Sequence, residues 1–178
     1  MDPVLIDLLP ELSSAGDTIE RAAHLDWPSY TLGDKEYSLD KGLDYNVLLT
    51  HTGEGILLSG LLRAQVSTDC DRCLDPAHFE LASEVESYFV REIPVDAADE
   101  EQDFELIVDD KVDIAPALLA ALALDTPYVS LCRDDCKGLC PHCGANLNHE
   151  SCECSQTELD PFNPFSKLAQ LKQDLERS

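Results

Sequence analysis

The chain has 178 residues, 44% of them hydrophobic, so it can build one main core with at most a small appended module. It carries 36 acidic against 12 basic side chains, a formal net charge of −24, and its pI is about 4.2. That balance argues against broad binding to a phosphate backbone or an anionic membrane surface, both of which need clustered Lys and Arg, and it favours a basic partner.

In chain order, residues 1–35 show no clear pattern and read as a partly loose N-terminal segment. Val4–Leu9 is interrupted by Asp7 and is too short to span a bilayer. Asp2 stands where a secretory leader would carry positive charge, so a cytoplasmic chain is expected. Residues 36–130 are expected to form an acidic antiparallel sheet domain with one buried helix. Tyr45, Val47 and Leu49 suggest a short strand. Ile56, Leu58, Gly60, Leu62, Ala64 and Val66 alternate with Arg63, Gln65 and Ser67 on the other face. After a turn at Asp75-Pro76, the side chains of Phe79, Leu81, Val85 and Phe89 lie opposite Glu80, Glu84 and Glu86. Period-two patterns of this length mean strands with one face buried and one in water. Phe104–Val108 suggests a further strand. The connections look too short for helical crossovers, hence the antiparallel expectation.

Between the last two strands, Pro94–Asp103 holds five acidic residues. It reads as a solvated loop, or as an electrostatic lure for a Lys/Arg-rich partner. Asp113 is placed as the N-cap of a helix running to about Leu124, stopped by Asp125-Thr126-Pro127 and apolar almost all round, hence buried. A C-terminal amphipathic helix is expected over 161–178, with Asn163 as N-cap and Pro164 first. Phe165, Leu168, Leu171 and Leu175 mark its apolar face, either docked on its own domain or offered to another protein. The fold class expected is α+β, an antiparallel sheet with packed helices plus a small Cys-rich module over 131–160.

The eight cysteines fall into four close pairs, Cys70/Cys73, Cys132/Cys136, Cys140/Cys143 and Cys152/Cys154. In a reduced compartment such pairs point to metal binding rather than to disulfides. Structural zinc takes four thiolate or imidazole ligands, and a close pair supplies two corners of the tetrahedron, so four pairs make two sites. Gly144 after Cys143 lets the backbone turn so that N–H groups face the sulfurs. Cys140/Cys143 with Cys152/Cys154 closes a short loop, leaving Cys70/Cys73 to join Cys132/Cys136 and pin the tail to the long strand. A rival arrangement uses Cys132, Cys136, Cys140 and Cys143 as one site. Arg72, Arg133 and Lys137 beside the ligands either offset the thiolate charge or contact a phosphate. His142 and His149 read as exposed loop residues.

Thiol redox chemistry fits poorly, because Cys70 follows a strand between Asp69 and Asp71 rather than opening a helix in positive surroundings. Catalytic zinc would keep an open position, and all-thiolate sites are closed. No phosphate-cradling glycine loop, nucleophile elbow or carboxylate dyad is present. The expectation is a non-enzymatic protein without a small-molecule substrate.

Cys70-Asp71-Arg72-Cys73-Leu74 at a strand end resembles the C-x-R-C-L signature of the YceD-like family, also described as the large ribosomal RNA subunit accumulation protein. Cys132, Cys136-Lys137-Gly138-Leu139-Cys140-Pro141, Cys143-Gly144, Asn146-Leu147-Asn148 and Cys152-Glu153-Cys154 are similar to its Cys-rich version, and Asn163-Pro164-Phe165 to its C-terminal helix. The resemblance covers roughly residues 40–175. It implies a bacterial or organellar factor for accumulation of 23S ribosomal RNA and assembly of the large subunit. Some members keep the first C-x-x-C and lack the later cluster.

Two expectations for the partner follow. In one, the acidic sheet domain holds a basic ribosomal protein. In the other, the zinc module and C-terminal helix touch 23S pre-rRNA through Arg72, Arg133, Lys137, Lys167, Lys172 and Arg177. A redox-responsive zinc-thiolate switch acting through a protein partner is the alternative function.

Overall fold

The computed structural model describes residues 3–8, 11–92 and 104–154. The acidic segment Pro94–Asp103 and the expected C-terminal helix with Lys167, Lys172 and Arg177 lie outside the described residues.

Three long strands form the centre: β4 (Lys35–His51), β5 (Gly55–Asp69) and β6 (Pro76–Val90). Around them lie β1 (Leu5–Asp7), β2 (Thr18–Leu25), β3 (Ser29–Leu32), β7 (Phe104–Leu106) and β8 (Lys111–Asp113), and the helix α1 spans Ala115–Asp125. The main sheet has the order β2-β4-β5-β6-β7, with β3 also paired to β4, while β1 and β8 form a two-stranded ribbon. β5 and β6 follow the alternation in the sequence. Leu58, Leu62, Val66, Val85 and Phe89 are buried on one face, and Arg63, Gln65, Glu80, Glu84 and Glu86 are exposed on the other. Burying a side chain of this kind contributes about 1.5–3 kcal/mol, so this one face supplies much of the sheet's driving force.

Several expectations need correction. The strand around Tyr45–Leu49 runs back to Lys35, because Tyr37 and Leu39 also point inward. A bulge between Leu39 and Leu43 interrupts pairing with β5, and Gly42 there adopts φ 67°. A Cβ at that position would lie 2.1 Å from the Leu25 carbonyl oxygen, so Asp40-Lys41-Gly42 has the composition of a turn while sitting inside a strand.

The sheet is mixed rather than antiparallel, since β7 pairs parallel to β6, Tyr88 opposite Phe104. Residues 91–103 are long enough for the crossover that parallel pairing requires. Residues 1–35 are not merely loose, for they hold β1, β2 and β3. Tyr30 stacks on Tyr37 at 5.2 Å, and its hydroxyl shares a buried 2.6 Å hydrogen bond with Thr126 at the end of α1. Packed helices are not found: α1 is the one helix among the described residues.

α1 lies against β6 and buries Ala115, Ala117, Leu118, Ala121 and Leu122. Its N-cap is Ile114 rather than Asp113. Asp113 ends β8, and its carboxylate accepts the N–H groups of Val4 and Ala115 at 2.8 and 3.0 Å, fastening the ribbon to the helix start. No helix among the described residues is long and apolar enough to cross a membrane.

Candidate metal centre

The turn between β5 and β6 is built on Cys70–Asp75. The Cys70 N–H donates to the Asp75 carbonyl at 2.9 Å, and the Leu74 N–H donates to the Cys70 carbonyl at 3.0 Å. The same two bonds recur seventy residues on, with Cys140 N–H to Ala145 O at 2.8 Å and Gly144 N–H to Cys140 O at 2.9 Å. Both knuckles need a left-handed residue after the second cysteine. Gly144 supplies it at φ 75°, whereas Leu74 supplies it at φ 63° with its side chain exposed. Glycine marked the second knuckle in the sequence, and the equivalent strain at Leu74 carried no such mark.

The sulfurs gather into two sets, Cys70, Cys73, Cys132 and Cys136, and Cys140, Cys143, Cys152 and Cys154, with the sulfurs of each set within 4.8 Å of one another. The arrangement combining Cys132/Cys136 with Cys140/Cys143 is not the one formed. In the first set Cys70 Sγ lies 3.8 Å from Cys136 Sγ, and Cys73 Sγ lies 3.5 Å from Cys132 Sγ. These separations are far longer than a disulfide of about 2.05 Å. They match the sulfur–sulfur edge of about 3.8 Å set by a tetrahedral ion with metal–sulfur bonds of about 2.3 Å. The donor chemistry and spacing therefore fit two closed tetrathiolate sites.

Backbone and side-chain donors around the sulfurs favour thiolates. Burial pushes the Cys70 thiol up, but N–H groups of Arg72, Cys132 and Cys73 outweigh it and lower it to about 6. The N–H groups of Cys143 and His142 bring Cys140 down to about 6 as well. The Asn148 side chain lowers Cys136, to which its Nδ2 donates at 3.3 Å. Their neighbours move the other way. Burial raises Cys73 and Cys132, and the hydrogen bond with Cys143, then burial, hold Cys154 up at about 12. Sulfurs that resist sharing a site as anions are a place where a cation displaces protons.

The loop that carries the second set also supports the first. Asn146 Nδ2 donates to Asp75 Oδ1 at 3.0 Å, and the His149 ring nitrogen Nε2 lies 2.9 Å from Asp75 Oδ2. Asn148 Oδ1 accepts the Lys137 N–H at 2.8 Å while its amide reaches Cys136. Asn146-Leu147-Asn148 is thus a clasp between the two sets, a role its sequence did not display. Asp71 ties the knuckle to its surroundings, accepting from Lys35 and from the Ser130 N–H, each at 2.6 Å. The hydrogen bond and charge of Lys35 hold its carboxyl below the usual range.

The flanking cations have separate fates. Arg72 Nη1 donates to the Cys136 carbonyl at 3.0 Å. Arg133 pairs with Asp135 at 3.4 Å, and both Arg133 and Lys137 are exposed. His142 and His149 are exposed, and neither belongs to a sulfur set.

The chain matches the family described as large ribosomal RNA subunit accumulation protein YceD over residues 58–172. Uncharacterized proteins of Mycobacterium tuberculosis and Mycobacterium bovis are 30% identical over 122 residues, covering 67% of this chain and 59% of theirs. The chloroplast protein of Zea mays named large ribosomal RNA subunit accumulation protein YCED homolog 1 is 26% identical over 187 residues, covering 88% of this chain and 63% of its own. Its Arabidopsis thaliana counterpart is 23% identical over 171 residues, covering 80% and 53%. The chain thus spans little more than half the length of the curated relatives it matches. No solved structure matches it. A match running from near the start of β5 past both sulfur sets makes the chain a member of the YceD family of large ribosomal RNA subunit accumulation proteins.

Proposed function

We propose that this protein is a non-enzymatic, cytoplasmic factor in large-subunit assembly. It supports accumulation of 23S rRNA by binding a basic ribosomal protein, and its eight cysteines hold two structural zinc ions. The observation that carries this reading is the pair of four-sulfur sets within a chain of this family, the first joining Cys132 and Cys136 to Cys70 and Cys73 at the end of the sheet and the second gathering residues 140–154 on themselves. A closed thiolate tetrahedron leaves no open position for substrate, so its work is cohesion. Free ribosomal proteins are cationic, and a partner of net charge −24 shields them until rRNA takes its place.

The RNA-binding version of the reading draws on Arg133 and Lys137, together with Lys167, Lys172 and Arg177. Arg72 serves it less well, because its guanidinium is occupied by the Cys136 carbonyl. Titrating the zinc-loaded chain against purified large-subunit ribosomal proteins and against 23S rRNA fragments, each across a salt series, tests the choice. Tight binding to a ribosomal protein without RNA binding supports the proposal. A steep salt slope on naked RNA overturns it in favour of direct rRNA contact.

A redox-responsive zinc switch has one observation in its favour, the exposure of Cys143 in the second set. Zinc release by stoichiometric peroxide together with a changed partner affinity would establish it. Unchanged affinity after release would remove it.

A further inference from the structure

The face of the main sheet turned away from the core has an organisation that its role as a solvated surface does not require. Leu48 of β4 sits directly opposite Ser59 of β5, and Leu57 and Leu61 flank Ser59 two positions away along the same face. Three leucines therefore surround one small side chain. Leu48 is 40% exposed and Leu61 48% exposed, although both stand within long, well-paired strands. Scattered exposed leucines are ordinary, but a contiguous cluster is a feature of contact surfaces.

Acidic side chains border this cluster on both sides. Glu20 of β2 is paired opposite Leu48, while Glu86 and Glu84 of β6 are paired opposite Ser59 and Leu61. All three are exposed, and none takes part in an ion pair among the described residues. With neighbouring strands about 4.8 Å apart, β2 and β6 stand about 14 Å from each other across β4 and β5. A helix of about 10–12 Å diameter fits across that width with its flanks over the two acidic borders.

We infer that this sheet face is the docking surface for a cationic amphipathic helix of a protein partner, its apolar stripe on Leu48, Leu57 and Leu61 and its Lys or Arg flanks against Glu20, Glu84 and Glu86. The inference rests on the reading that the protein binds a basic ribosomal protein, and it locates where that binding takes place. The same acidic borders repel a phosphate backbone, so RNA is the wrong occupant. The chain's own residues 155–178 match less well, since Lys167, Lys172 and Arg177 are offset there by Glu158, Asp160, Asp174 and Glu176, leaving little net positive charge to meet the borders.

The test uses the full zinc-loaded chain and a panel of purified large-subunit ribosomal proteins, titrated across a salt series that includes about 150 mM, where only close charge pairs survive screening. L48T/L61T removes the apolar centre and keeps the charge. E84Q/E86Q removes one acidic border, and D34N/E150Q removes the same charge from distant exposed positions. For a panel member that binds the wild type, we expect L48T/L61T to weaken binding about tenfold or more, the effect of losing a central apolar anchor. E84Q/E86Q flattens the salt dependence, and D34N/E150Q leaves it unchanged. Retained zinc and Trp27 emission certify the fold of each variant, and E84Q/E86Q keeps the test decisive should L48T/L61T misfold. If L48T/L61T and E84Q/E86Q both bind as the wild type does, the face is not the docking surface and the ribosomal-protein reading survives. If no panel member binds and 23S fragments do, that reading fails and the docking surface with it.

Discussion

Asn148 lies in the loop of the second sulfur set but makes its contacts at the first, so replacing it reads the dependence of one site on the other. Asn148→Ala removes the 3.3 Å bond from Nδ2 to Cys136 Sγ and the 2.8 Å bond from the Lys137 N–H to Oδ1. A hydrogen bond to an ionised acceptor is worth roughly 1.5–3 kcal/mol and a neutral one about 1. The Lys137 bond is exposed to water, which discounts it, and about 2 kcal/mol remains. That corresponds to roughly a 30-fold loss of metal affinity at Cys70, Cys73, Cys132 and Cys136, within the range for partners that orient metal ligands. Competition with a chromophoric chelator resolves the two sites. The expected result is a weakened first ion while the second, held by Cys140, Cys143, Cys152 and Cys154, changes little. Asn148→Asp should be worse than alanine, because it trades the donor for a carboxylate facing a thiolate. Wild-type affinity at both sites in Asn148→Ala would refute the clasp.

Other consequences of the structure are open to direct measurement. The sulfur sites and the sheet have separate apolar clusters, and Trp27 belongs to the sheet's. Exhaustive chelation should therefore expose the amides of residues 132–154 to hydrogen exchange while Trp27 emission stays blue; a red shift would show that the sheet depends on the metal. A Cβ at Gly60 would sit 2.3 Å from the Asn46 carbonyl oxygen and 2.7 Å from Val47 Cα. Gly60→Ala is expected to cost about 3 kcal/mol in urea unfolding, and a loss under about 1 kcal/mol would contradict that close approach. His24 is raised above 6.5 by its hydrogen bond to Asp44 and the nearby Asp26. A raised value means that its stabilising effect is complete below pH 6.5 and fades as pH climbs through the folded-state pKa. An NMR titration should show this, with Asp44→Asn moving the midpoint back toward 6.5.

How legible each part was in the sequence follows from how many of its contacts are local. Ile56–Val66 and Phe79–Phe89 face a core with one side and water with the other, so period two survives in the sequence. β2 lies at the edge and buries only Ile19, which leaves no alternation to detect. The parallel placement of β7 depends on where residues 91–103 travel, and composition cannot specify a direction. At the sulfur sets, residue type and spacing announced which cysteines gather. Leu74 matters through backbone conformation and Asn146 through a partner 71 residues away, so neither carried a local signature.

The first sulfur set spans a long stretch of chain, with Cys73 and Cys132 separated by 59 positions and Cys70 and Cys136 by 66. A covalent link closing a loop of that size removes about 4 kcal/mol of unfolded-chain entropy, and a coordinated ion imposes a comparable constraint. During synthesis, however, Cys70 and Cys73 emerge long before their counterparts. The hairpin can form early while its thiols wait as an incomplete pair, vulnerable to oxidants and to the wrong ion. Completion of that tetrahedron thus waits until residues 132 and 136 have been made, long after the hairpin that carries its first half.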